Sequence, residues 1–133
     1  MLARSAVEYI AYKGTAFTIE WYFDEGLESQ ALTYFENLSP QQQDKLLYLF
    51  KRMGDFGKIS DITKFRFEED KIYAFKPQPD RFLCFFYTGK KIIVTNAFYK
   101  KTDKLPKSEK LAALKHKDDY ELRVKKGEYY EED

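Results

Sequence analysis

Lys76, Arg81, Lys100 and Lys101 stand where apolar, strand-like runs begin or end. Lys76 closes YAFKP, Arg81 opens RFLCFFY, and the lysine pair follows NAFY. The chemistry they could share is phosphate binding. In an antiparallel sheet the end of one strand lies beside the start of its hairpin neighbour, so Lys76 and Arg81 can be close, and alternate positions can aim side chains at one open face. Such a cluster holds consecutive phosphates, with arginine offering a planar donor fork and lysine a mobile point charge. It also stabilises charge on the equatorial oxygens of a five-coordinate phosphorus. The same spacing describes ordinary solvated strand ends, and two adjacent lysines cannot both point one way along a regular strand. Spacing alone favours the solvated strand ends.

Other reactive residue types offer less. Cys84 is the only cysteine and lies inside an apolar run, so it is expected to pack as a small apolar group. His116, the only histidine, sits in LKHKDD and reads as a partly exposed residue on a helix. One histidine and one cysteine make no recognisable metal cluster, and the carboxylates lack a calcium-loop order. No nucleophile elbow or glycine-rich phosphate loop occurs. No cofactor or metal is expected.

Charge is unevenly spread although the chain is formally only +1. Residues 1–50 carry three basic and seven acidic side chains, residues 51–99 ten and six, and residues 100–126 ten and five. A nearly neutral chain can therefore still present a basic face. Eleven tyrosines, twelve phenylalanines and an apolar fraction of 44% argue against disorder. At 133 residues the chain is expected to form a single domain over 1–133, with a short N-terminal lead-in and an acidic C-terminal tail. No signal peptide or membrane-length apolar run is present, so a cytoplasmic location is expected.

The elements that must position the basic groups follow from periodicity. The first dozen residues read as a loose or short helical lead-in. TAFTIEWYF reads as a strand, and Leu27, Ala31, Tyr34, Phe35 and Leu38 have helical spacing. Ser39, Pro40 and Gln42 form a helix start, continued by Leu46, Leu47, Phe50 and Met53, with Gly54 and Gly57 at the exit. Strands around FRF, KIYAF, RFLCFFY and KIIVTNAF follow, the last two as a hairpin about TGK. Pro106 opens a helix near Lys107 whose stripe holds Leu111, Leu114 and Tyr120. The expected class is α+β: a small antiparallel sheet packed on N-terminal helices, one face left wet, plus a C-terminal helix.

The run from KIYAFKP to KLAALKH resembles the phage-derived Gp49-like branch of the RelE/HigB-like toxins. That family has a strand ending in a Glu-Leu-Arg-like triplet, then a strand with an arginine, then Phe-x-Lys-Lys-Thr-x-Lys-x-Pro before a helix. FYKKTDKLP at residues 98–106 is the specific match, and similarity is strongest over about residues 70–116. The resemblance implies a RelE-like fold and a metal-independent endoribonuclease that cleaves messenger RNA, commonly on the ribosome, restrained by a cognate antitoxin.

Carried across, Arg81 matches the family arginine, Lys76 and Ala74 replace the arginine and the acid of the triplet, and Phe98 matches the aromatic before the lysine pair. The resemblance thus implies Arg81, Lys76, Lys100, Lys101 and Tyr120 as catalytic candidates, and Lys76, Arg81, Lys100, Lys101 and Lys104 as RNA contacts. Arg81 and Lys76 are expected near solvent. No general base stands out: a lysine of depressed pKa, Tyr120 and His116 are the candidates. The rival reading is a non-enzymatic RNA- or protein-binding protein on the same fold. A small DNA-binding regulator ranks below both, for want of a helix-turn-helix signature. The tail EYYEED reads as a solvated terminus or as a segment that folds back on the basic face.

Overall fold

The computed structural model describes residues 7–130. Helix starts follow the capping chemistry. Ser29 accepts from Leu32 N at 3.2 Å and opens α1 (Gln30–Glu36), leaving Leu27 outside the helix in a turn with φ 61. Ser39 accepts from Gln42 N at 3.2 Å and opens α2 (Pro40–Phe56), with Pro40 where its missing N–H costs nothing. Leu46, Leu49, Phe50 and Met53 form the buried face of α2, whereas Leu47 is exposed. The helix passes through Gly54 and ends at Gly57, whose φ of 75 is the left-handed cap that glycine favours. Gly54 lies within the helix, and its carbonyl accepts from Ala16 N and Phe17 N of a neighbouring turn, at 2.7 and 2.9 Å.

Among the described residues, six strands form one sheet in the order β1-β2-β6-β5-β4-β3. They are β1 (Ile10–Lys13), β2 (Thr18–Trp21), β3 (Phe65–Glu69), β4 (Ile72–Phe75), β5 (Asp80–Tyr87) and β6 (Lys91–Tyr99). Two expectations change. The lead-in contributes an edge strand, β1, rather than a loose or helical segment. The sheet is mixed, because β2 pairs parallel with β6 while the other neighbours pair antiparallel. α1, α2 and β3 to β5 form the long connection that a parallel pair requires. The β5–β6 hairpin occurs as read, turning through Gly89 and Lys90 at positive φ.

Both sheet faces are covered, which overturns the expected wet face. α1 and α2 pack on one, around Ile19, Trp21, Phe50, Phe75, Phe82 and Val94. The other carries α3 (Lys107–Lys125) over Tyr22, Ile72, Leu83, Phe85 and Ile93. Burial on two sides explains why β5 and β6 read as near-continuous apolar runs. α3 contributes Ala113, Leu114, Tyr120 and Val124 to this layer, while Leu111 points to solvent at 63% exposure. Tyr129 and Tyr130 pack beneath it too, against Arg123 and Lys91, so this part of the tail is neither solvated nor laid on Lys76, Arg81 or Lys100. The last three residues of the chain lie outside the described range.

A basic cleft at the end of the sheet

At the end of the sheet reached by β6, the α3-side face is left free of the helix. Alternation sets which side chains reach it. Phe75 and Phe82 pair across β4 and β5 and face α2, so Lys76 and Arg81, each one residue away, face the opposite side together. On β3, Arg66 and Glu68 fall on that side, with Arg66 opposite the small Ala74.

A one-residue bulge then decides the fate of β6. Cys84 pairs with Val94 but Leu83 pairs with Asn96, leaving Thr95 extra; its hydroxyl donates to Leu83 O at 3.2 Å. Without the bulge, Phe98 and Lys100 would share the α2 side with Val94. With it they join Arg81.

The result is a narrow cleft lined by Arg66, Glu68, Lys76, Arg81, Phe98 and Lys100, closed by Thr102, Asp103 and Lys104. Its free space is about 20 Å³, room for about one water. Arg81 is 7% exposed, contrary to the expected solvent position. It is held there because Nη1 donates to Asp80 O at 3.0 Å and to Gln78 Oε1 at 3.2 Å. Asp80 itself is buried, accepting from Tyr34 Oη at 2.5 Å and Gln42 Nε2 at 2.9 Å, which anchors the start of β5 to both N-terminal helices. Lys76 Nζ donates to Ile62 O at 3.0 Å.

The cleft is cationic and partly dehydrated. Burial, followed by the charges of Arg81 and Arg66, lowers the Lys76 pKa below its ordinary value. Burial likewise lowers that of Arg81, although Glu68 opposes the shift. The Glu68 side chain is only 9% exposed and accepts from Arg66 Nη2 at 3.2 Å. Asp103, at 98% side-chain exposure, sits 2.7 Å from Lys100 Nζ; Lys100 foremost, then Arg81 and Lys76, holds its carboxyl below the ordinary value. An anion already occupies the mouth.

Of the residues singled out in the sequence, the fold brings together Lys76, Arg81, Lys100 and Lys104, with Phe98 beside them. Lys101 is exposed and is not among the lining residues, as expected for the neighbour of an inward lysine. Tyr120 lies elsewhere: fully buried in the α3 layer, 2.5 Å from Tyr130 Oη, it is not among the lining residues either. His116 stacks on Tyr22 at 4.7 Å between ring centroids. Glu68 and Arg66 do not stand out in the sequence, because the FRF strand reads only as apolar residues alternating with charge. Their only signal was two-residue spacing on a strand next to YAFK.

Among the described residues, no three His, Cys, Asp or Glu side chains are grouped to hold a metal ion, and no helix is long and apolar enough to cross a membrane. The buried Cys84 thiol has its pKa pushed up by burial and packs among apolar side chains. No curated protein matches the chain. A family model described as phage derived protein Gp49-like (DUF891) matches residues 33–118, from α1 into α3, a span that contains every residue lining the cleft. By that match the chain belongs to the phage-derived Gp49-like family.

Proposed function

We propose that this protein is a RelE/HigB-like endoribonuclease, the toxin of a two-component system that cuts messenger RNA on the ribosome in the cytoplasm. The observation that carries this reading is the meeting of three cations, Lys76, Arg81 and Lys100, with the shielded carboxylate of Glu68 in one cleft. The nucleophile is part of the substrate, so the chemistry needs no metal. The RNA 2′-oxygen attacks the adjacent phosphorus and the bond to the 5′-oxygen breaks, leaving a 2′,3′-cyclic phosphate and a 5′-hydroxyl. Glu68 accepts the 2′-hydroxyl proton, Arg81 and Lys100 balance the charge on the phosphoryl oxygens, and Lys76 protonates the departing oxygen. Burial and neighbouring cations make Lys76 a stronger acid than a free lysine, which suits it to that last role. Substrate phosphate displaces Asp103 from Lys100.

In a purified translation system, stoichiometric protein should cut message at defined codons, and Glu68→Gln should slow cutting by about two orders of magnitude or more. Intact message beside active ribosomes would refute the reading. Ala74, standing where the family motif has an acidic residue, favours one alternative: a non-enzymatic RNA or protein binder. That protein would release RNA as salt rises but leave it whole. A toxin also requires an inhibitor, so co-expression with the neighbouring open reading frame should rescue growth and yield a copurifying antitoxin complex.

A further inference from the structure

A second, larger cavity lies on the other side of the turn that carries Lys76 and Arg81. It is a groove of about 860 Å³ between α2 and the 57–64 segment, lined by Lys45, Tyr48, Arg52, Lys58, Lys64 and Pro77 among others. Its volume falls within the range of ligand-binding clefts. Two carboxylates, Asp44 and Asp61, also border it, but Asp61 is occupied by the N–H and hydroxyl of Thr63 at 2.9 and 2.7 Å. None of its four cations forms an ion pair with a described carboxylate. Tyr48 is 61% exposed among them. An excess of cations over carboxylates, four against two, around an open aromatic ring makes a site for single-stranded nucleic acid.

The groove adjoins the basic cleft. Lys76 lines the cleft and Pro77 the groove, and across their trans peptide the two Cα atoms are about 3.8 Å apart. Gln78 lines the groove, yet its side chain accepts from Arg81 at 3.2 Å and donates to Thr63 O at 2.9 Å.

We infer that the groove is a second RNA subsite, holding the single-stranded nucleotides that flank the one at Arg81. Lys45, Arg52, Lys58 and Lys64 meet backbone phosphates, and one base stacks on Tyr48. This rests on the reading of the cleft as an RNA site. An acidic protein segment would also suit the charge, but continuity with the phosphate cleft and the open aromatic face favour RNA.

The test uses 2′-O-methyl oligonucleotides, which lack the nucleophile, of about four and about ten nucleotides, spanning less or more than one single-strand site. Binding is followed by fluorescence anisotropy for the whole protein, for Tyr48→Ala and for the double variant Arg52→Glu/Lys58→Glu, each checked by circular dichroism and melting. The longer oligonucleotide should bind the unmodified protein at least about tenfold more tightly than the shorter, and Tyr48→Ala should weaken it by about tenfold. The double variant should lose the length advantage and flatten the slope of log affinity against log salt by about 1.4, while the short oligonucleotide binds nearly as before.

A length advantage that survives in the folded double variant, or its absence in the unmodified protein, overturns the groove. So does binding of a polyglutamate peptide there in preference to RNA. Cleavage of message with unchanged binding by the groove variants removes the groove alone. Groove-dependent binding without cleavage removes the nuclease and leaves the groove.

Discussion

Lys76 and Arg81 occupy one cleft but are held differently, and substitution should separate their roles. Lys76 is partly exposed and rests on a single carbonyl, so Lys76→Ala should reduce cleavage by about one to three orders of magnitude with little change in melting. Arg81 is buried and donates to Asp80 O and Gln78 Oε1, so Arg81→Ala should lose comparable activity and also melt earlier. Cleavage kinetics paired with thermal melts decide; unchanged cleavage in both variants would remove them from the chemistry. His116 permits a prediction of another kind. Burial against Tyr22 and its surroundings lowers its pKa below the ordinary 6.5, with Asp24 and Asp119 opposing and Lys115 reinforcing the shift. The unfolded chain therefore takes up this proton first as pH falls. Stability should decline from about pH 6.5 down to the depressed folded value, and His116→Phe should flatten that part of a urea-midpoint profile against pH.

At the scale of elements, local chemistry was readable and pairing was not. Ser39, Pro40 and Gln42 announce α2 because capping involves residues three apart. The parallel partner of β2 is β6, which lies beyond α1, α2 and β3 to β5 in the chain, and nothing in TIEW encodes a parallel neighbour. The basic cluster was legible as residue types, but its assembly turns on the Thr95 bulge. Simple alternation along β6 would have sent Phe98 and Lys100 to the wrong face. Glu68 reaches the cleft only through the pairing of β3 with β4, which its own strand does not encode. The segment after β6 carries its own consequence. Asp103 holds Lys100 at the mouth of the cleft, where the proposed substrate phosphate would compete for it, and its near-complete exposure makes it easy to displace. Asp103→Asn should therefore tighten binding of a 2′-O-methyl RNA by roughly two- to fivefold at low salt, with folding little changed. The gain should fade as salt rises. Equal affinities for the two proteins at low salt would show that Asp103 does not compete with phosphate.

Across the whole molecule, the basic cleft and the closure of the fold lie at opposite ends of one strand. Tyr99 ends β6 at the cleft, and Lys91 begins it beside the C-terminal tail, a separation of roughly 27 Å for an extended strand of this length. There the tail locks the first strands to α3. Tyr129 Oη accepts from Phe23 N at 2.9 Å, Tyr9 Oη donates to Tyr129 O at 3.1 Å, and Tyr130 Oη donates to the buried Glu20 carboxylate at 2.8 Å. β1 and β2 lie outside the residues matched by the family model, so this latch joins chain on either side of the family segment. Tyr129→Phe keeps the ring but leaves the buried Phe23 N–H without its acceptor, at a cost of about 1–3 kcal/mol. The expected result is a melting temperature lower by several degrees, with cleavage unaltered well below the transition because the latch hydrogen bonds involve no residue that lines the cleft. Parallel melts and cleavage assays on this variant would test both halves. An unchanged melt would show that the tail does not fasten the fold. A loss of cleavage in fully folded protein would show that the latch acts on the distant cleft.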